Sequence, residues 1–138
     1  MRQIFVDTNI VIDLFSEREP FYTSAADLFS LADKEKITLH ISALSVANIH
    51  YILSRQKKGQ EVSAILRKLR VLLKLLPLDS KIIDLSLSDE LFTDYEDGIQ
   101  YYTAIENNME CIITRNKKDF KNAQIPVFTA EEFVSQES

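Results

Sequence analysis

Glycine and proline are scarce, with two and three residues respectively in 138. So few chain breakers leave little room for long structureless stretches. Only one cysteine is present, Cys111, which excludes an intramolecular disulfide. It lies in the apolar stretch "MECIIT", where a small core hydrophobe is the expected role. Histidine is limited to His40 and His50, both in apolar contexts. A zinc site needs more ligands at closer spacing than these two supply. Long apolar runs are missing too. The tract "VLLKLLPL" is interrupted by Lys74 and Pro77, far short of a membrane span. At the start, Arg2 is followed by a short run that Asp7 breaks, which does not read as a secretory or transit peptide. The expectation is a soluble, cytoplasmic protein without membrane contact. Its length fits a single domain over 1–138.

Net charge is −5, which argues against a surface that binds nucleic acid everywhere. The charge is unevenly spread. Residues 55–74 hold Arg55, Lys57, Lys58, Arg67, Lys68, Arg70 and Lys74 against the single acid Glu61, a net of +6 that leaves −11 for the rest. Such asymmetry fits an anionic partner, but by itself a solvated helix face accounts for it equally well.

The apolar pattern alternates between short strands and longer helices. Strands are expected at "QIFV" (3–6), "TLHIS" (38–42), "LLPL" (75–78), "CIIT" (111–114) and "PVFT" (126–129). They are apolar on both faces, as in a parallel sheet covered on both sides. Helical spacing is read over 9–15, 21–34, 44–56, 62–73, 80–92 and 95–107. The result is a three-layer α/β/α domain with a central, mainly parallel sheet of about five strands. In such sheets ligands bind beyond the carboxyl ends of the strands, where strand order reverses. Residues just after strands therefore carry the functional question.

Acids and amides gather there. Asp7 and Asn9 follow the first strand, and Asn116 and Asp119 follow "CIIT". "TDYEDGIQYY" brings Asp94 and Asp97 to the start of a helix, where free amides favour carboxylates. Each has a plainer explanation. Asp7 and Asp94 are good N-caps, Asp97 suits a capping box, and Asp119 suits a solvated loop. Together they shift the balance, because three chain segments deliver acids to one end of one sheet. Two carboxylates about 5 Å apart repel by roughly 3 kcal/mol at an effective dielectric near 20. A bound divalent cation relieves that, and oxygen donors without histidine favour Mg²⁺ or Mn²⁺.

These stretches resemble the PIN domain family, small nucleases that include the toxin ribonucleases of bacterial toxin–antitoxin pairs. "FVDTNIVIDLF" is similar to the first family motif, with Asp7 as an acidic ligand and Asn9 as its polar support. "DYEDGIQYYTAIENN" followed by "CIITRNKKDF" is similar to the C-terminal motif. There Asp97 matches a further acid, and Thr114 and Asn116 match a Thr-x-Asp element. Two positions depart from the pattern. Asn48 stands where the family has a glutamate on the helix after the second strand, and Asn116 where it tends to have aspartate. Asp119 is then the expected replacement, and metal affinity should be weaker than in a four-carboxylate site.

The resemblance implies a metal-dependent endoribonuclease. Asp7, Asp97 and Asp119 would hold Mg²⁺ or Mn²⁺. Asn9, Asn48, Asp94, Thr114 and Asn116 would orient them, and Arg115, Lys117 and Lys118 would hold the RNA backbone. Tyr95, Tyr101 and Tyr102 flank the site as candidates for base stacking, although helical phase puts Tyr102 in the core. A small antitoxin covering the acidic cleft is implied as partner, and a homodimer is also expected. The apolar faces of 21–34 and 44–73 offer ridges for either, or simply pack on the sheet. A competing reading is a catalytically impaired module that binds RNA or protein through 55–74, which would show no thermal shift with Mn²⁺. A haloacid-dehalogenase-like phosphatase would need an aspartate where Asn9 stands. A receiver domain would need paired acids directly after the first strand.

Overall fold

The computed structural model describes residues 2–137. Five parallel strands form one sheet in the order β3-β2-β1-β4-β5. They are β1 (Arg2–Val6), β2 (Ile37–Ser42), β3 (Lys74–Leu76), β4 (Cys111–Ile113) and β5 (Val127–Phe128). Between and after them come α1 (Thr8–Phe15), α2 (Tyr22–Asp33), α3 (Ala43–Ser54), α4 (Gly59–Leu72), α5 (Ser80–Ser88), α6 (Tyr95–Glu106) and α7 (Ala130–Glu137). A short 3₁₀ helix, Lys117–Phe120, follows β4.

The two-residue period of a strand sorts side chains to the two faces. Ile4 and Val6 of β1 and Cys111 and Ile113 of β4 join one core with α1, α2, α3, α4 and α7. Phe5 and Ile112 point the other way, into a smaller core with Tyr101 and Ala104 of α6 and Phe120. Sheet and helices thus form three layers, as the apolar pattern predicts. Phe5, Leu28, Leu39, Ile49 and Phe133 are all fully buried. Each contributes about 1.5–3 kcal/mol by leaving water. The basic run is mostly the outer face of α4: Val62 and Leu69 are buried, while Arg67, Lys68 and Arg70 are exposed.

Several expected boundaries move for identifiable reasons. The third strand is Lys74–Leu76 instead of 75–78, since Pro77 has no N–H to give a ladder. The fifth pairs only over Val127–Phe128. Helix α5 stops at Ser88, where Asp89 turns extended, so residues 89–94 form a loop rather than helix. That loop delivers Asp94 to the start of α6.

Topology fixes where a site forms. The chain leaves β1 towards β2 and β3, then crosses back to place β4 on the other side of β1. The reversal lies between β1 and β4, so a crevice opens beyond their carboxyl ends. Helix α6 precedes β4 and runs against it, so its N-terminus opens at this same end.

Candidate active site

Asp7 is the first residue after β1 and the N-cap of α1. Its backbone N–H donates to Ile113 O at 2.9 Å, tying it to the end of β4. Oδ1 accepts from the Thr8 N–H at 2.8 Å and Oδ2 from the Thr114 hydroxyl at 2.9 Å. Thr114 is held in turn, because its Oγ1 accepts from the Asn116 N–H at 3.1 Å. Asp7 is thus both a cap and a fixed carboxylate at the switch point. Burial pushes its carboxyl above the ordinary value, as does the charge of Asp119, while the hydrogen bonds from Thr114 and Thr8 and the nearby Arg115 pull it back.

Helix α6 supplies the facing acids. Asp94 caps it, with Oδ1 accepting from the N–H groups of Glu96 (2.8 Å) and Asp97 (3.3 Å). Asp97, in the first turn, is half-buried and its carboxyl is pushed up to about 7. Burial is the largest cause, followed by the like charges of Asp94, Asp119, Asp7 and Glu96. Asp119 arrives from the 3₁₀ helix after β4. Asp7, Asp97 and Asp119 share a cleft of about 480 Å³, also lined by Asn9, Asn48, Asp94, Glu96, Gln100 and Tyr51. An adjoining cleft continues past Asp94, Asp97 and Asp119 to Lys118 and Lys121.

Most of the residues singled out in the sequence therefore meet. Two of the basic ones have other partners. Arg115 Nε sits 3.5 Å from Oδ2 of Asp13, which is buried in α1, and its guanidinium lies 4.5 Å from the Phe21 ring centroid. Lys117 pairs with Glu132 of α7 at 3.1 Å. Only Lys118 of that trio lines a cleft containing the acids. The side chain of Asn116 is not among the lining groups, and its contribution is the N–H given to Thr114.

Sequence reasoning gave Glu96 no role at the site and missed a polar floor. Asn48 Nδ2 donates to Glu96 Oε1 at 2.9 Å. A carboxylate from α6 thus stands beside the α3 position where a glutamate was expected. The signal was available, since Glu96 belongs to the same "DYED" run as Asp94 and Asp97. Below the cleft, Ser42 Oγ donates to Gln100 Oε1 (2.7 Å) and Gln100 Nε2 donates to Ser45 Oγ (2.9 Å). Ser45 Oγ also lies 2.7 Å from Thr8 Oγ1. This buried network fastens α1, α3 and α6 together under the acids. Nothing in the spacing of Ser42, Ser45 and Gln100 reveals it, because the three meet only once the sheet has formed.

Known proteins are similar to this chain in sequence and fold. The PIN domain family model matches residues 3–118. Ribonuclease VapC1 of Aquifex aeolicus is 30% identical over 135 residues, spanning 95% of this chain and 92% of that protein. A toxin–antitoxin complex from Klebsiella pneumoniae contains a chain that is 26% identical, with a TM-score of 0.68, covering 92% of this chain and 97% of that one. VapBC2 of Rickettsia felis, solved with a promoter DNA fragment, superposes with a TM-score of 0.69 at 20% identity, over 91% and 96% of the two chains. The chain belongs to the PIN domain family.

Proposed function

We propose that this protein is a divalent-metal-dependent endoribonuclease that hydrolyses RNA phosphodiester bonds, and that it acts as the toxin of a toxin–antitoxin pair. The observation that carries the chemistry is the crowd of acids in one cleft. Five carboxylates, from Asp7, Asp94, Glu96, Asp97 and Asp119, line it. Asp97 is driven up to about 7 partly by the other four. An all-oxygen donor set with uncompensated negative charge fits Mg²⁺ or Mn²⁺.

Asp7, Asp97 and Asp119 are the proposed ligands, with Glu96 restoring the charge that Asn48 does not carry. Among the described residues no three acids are gathered closely enough to hold an ion alone. One or two of these carboxylates would therefore hold the ion at a time, with waters and substrate phosphate as its other ligands, as is common for Mg²⁺. When bound, the ion supplies a water of lowered pKa and polarises the scissile phosphate. The protein's part is orientation. Thr114 and the Thr8 N–H fix the Asp7 carboxylate, Asn48 steadies Glu96, and Lys118 offers a phosphate contact without sequence preference.

A second reading, a catalytically impaired module, draws on the uncharged Asn48 and Asn116. Calorimetry with Mn²⁺ and Mg²⁺ separates the two. An active enzyme binds the ion, Asp7→Asn abolishes that binding, and the same substitution abolishes metal-dependent RNA cleavage. Cleavage that survives Asp7→Asn and Asp97→Asn would sink the proposal. The toxin assignment rests on the relatives, and co-expression with the product of an adjacent small open reading frame tests it. Silencing of cleavage by that product supports it, and unchanged cleavage counts against it.

A further inference from the structure

A polyanion must approach a cleft lined by acids, so the surroundings have to attract it. Helix α3 leads out of the cleft. Asn48 holds Glu96, and one turn on, Tyr51 lines the same cleft with 64% of its surface exposed. Residues three apart on a helix share a face. One further turn along, the Arg55 guanidinium lies over the Tyr51 ring, 5.7 Å from its centroid. That distance is within the cation–π range, so an aromatic ring and a cation stand together at the cleft edge. Arg55 also opens the basic run, with Lys57 and Lys58 directly after it. On the far side of the acids, Lys118 and Lys121 line the adjoining cleft.

Of the tyrosines expected to stack bases, two are engaged elsewhere and the third does not line the cleft. Tyr101 is buried and stacks on Phe92 at 4.9 Å. The Tyr102 hydroxyl donates to Asp89 Oδ2 at 2.5 Å. Tyr95 is half-exposed but is not among the cleft-lining groups. Among the described residues, Tyr51 is the one tyrosine lining this cleft.

We infer that Tyr51 and Arg55 form a stacking platform for a nucleobase of single-stranded RNA, next to the phosphate held at the acids. This rests on the ribonuclease reading and names the contact that binds its substrate. Bases stack on aromatic rings and on arginine planes alike, and such stacking tolerates any base. The strand then runs from Lys118 and Lys121, across the acids, to Tyr51 and Arg55. Charge complementarity favours RNA over an apolar helix, since a ring covered by a guanidinium, with lysines next along the chain, is a poor apolar seat.

The test scans a short, labelled single-stranded RNA with one abasic nucleotide at successive positions. Binding is measured by anisotropy in an Asp97→Asn background, so that the strand stays intact. The unmodified Tyr51 protein should lose about 5- to 150-fold in affinity at one abasic position, the range expected for losing one stacked base. Tyr51→Leu should bind the unmodified RNA that much more weakly, and should bind the RNA abasic at that position as well as the Tyr51 protein does. Tyr51→Phe should restore the original profile. An unchanged profile in a Tyr51→Leu protein that still binds RNA overturns this inference and leaves the ribonuclease reading standing. If the starting protein binds no RNA and the wild type cleaves none, both fall. If Tyr51→Leu leaves RNA affinity intact and instead disperses a homodimer in sedimentation, the platform belongs to a protein interface and the RNA assignment is wrong.

Discussion

The exit of β1 and the start of α6 each present an acid to the same cleft, and they hold it in opposite ways. Asp7 is buried, with each carboxylate oxygen accepting a hydrogen bond, and those bonds oppose the cost of its burial. Asp97 sits among four other acids, and every cause that shifts its carboxyl pushes upward. One acid is fixed by the fold. The other is left in want of a counter-charge. A site that must bind and release a cation needs both: a rigid anchor to set position, and unrelieved repulsion that rewards the ion's arrival.

The sharpest way to break that comparison is Asp97→Asn. Cleavage should fall by about 10²–10³-fold, as when one electrostatic contact to a reacting group is removed. The metal-free protein should at the same time melt higher, because a neutral amide removes the repulsion without changing shape. Thermal melting in EDTA checks the second half. A lower melting temperature would mean that Asp97 is a structural acid, and the contrast with Asp7 would collapse.

Thr114→Val probes the other side. It leaves Asp7 Oδ2 without its donor while keeping the volume of the side chain. Removing a group that orients a metal-binding carboxylate typically costs 10–100-fold in metal affinity. It also leaves a buried carboxylate oxygen unpaired, at about 1–3 kcal/mol of stability. Both losses should appear together, by calorimetry and by denaturant melts. Weakened binding without destabilisation would show that the hydroxyl serves the ion directly.

The contrast also explains what could be read from the sequence. Strands β1, β2 and β4 are buried on both faces, so their apolar runs stand out, and the acids that end or follow them are visible as interruptions. Asp7 and Asp119 stand out for that reason and Asp97 for its place at the start of a helix, and the fold brings the three to one cleft. The ends of β3, β5 and α5 were not, since they are set by Pro77, by an edge pairing and by a loop that starts at Asp89. The partners of Arg115 were hidden for a different reason. Its neighbours in sequence are at the site, yet its partners Asp13 and Phe21 come from α1 and the start of α2. Only the packed fold brings those segments beside β4. The Ser42–Ser45–Gln100 floor was hidden in the same way.

Titration gives a further, milder test. A raised carboxyl means that the folded chain keeps a proton the unfolded chain has already lost. Between the ordinary 3.8 and about 7, the folded state binds more protons, so stability falls as pH rises. Above about pH 7 the loss is complete, and below about pH 4 it is absent. Metal should therefore raise the melting temperature more in mildly alkaline than in acidic buffer. An equal rise at both would indicate that ion binding does not depend on Asp97 being ionised.

The smallest effect should come from Asp94→Asn. Asparagine caps a helix about as well as aspartate, so α6 keeps its N-terminus and the melting temperature should scarcely move. The charge is gone, however, and Asp94 is the largest electrostatic contributor to the shift at Asp97, second only to burial. Carboxyl titration by NMR should then place Asp97 below its present value of about 7. Asp94→Ala gives the contrast, lowering Asp97 in the same way while costing about 1 kcal/mol of stability from the lost cap. If Asp97 stays near 7 in both variants, burial alone sets it, and the repulsion that distinguishes α6 from the exit of β1 is not what readies this cleft for a cation.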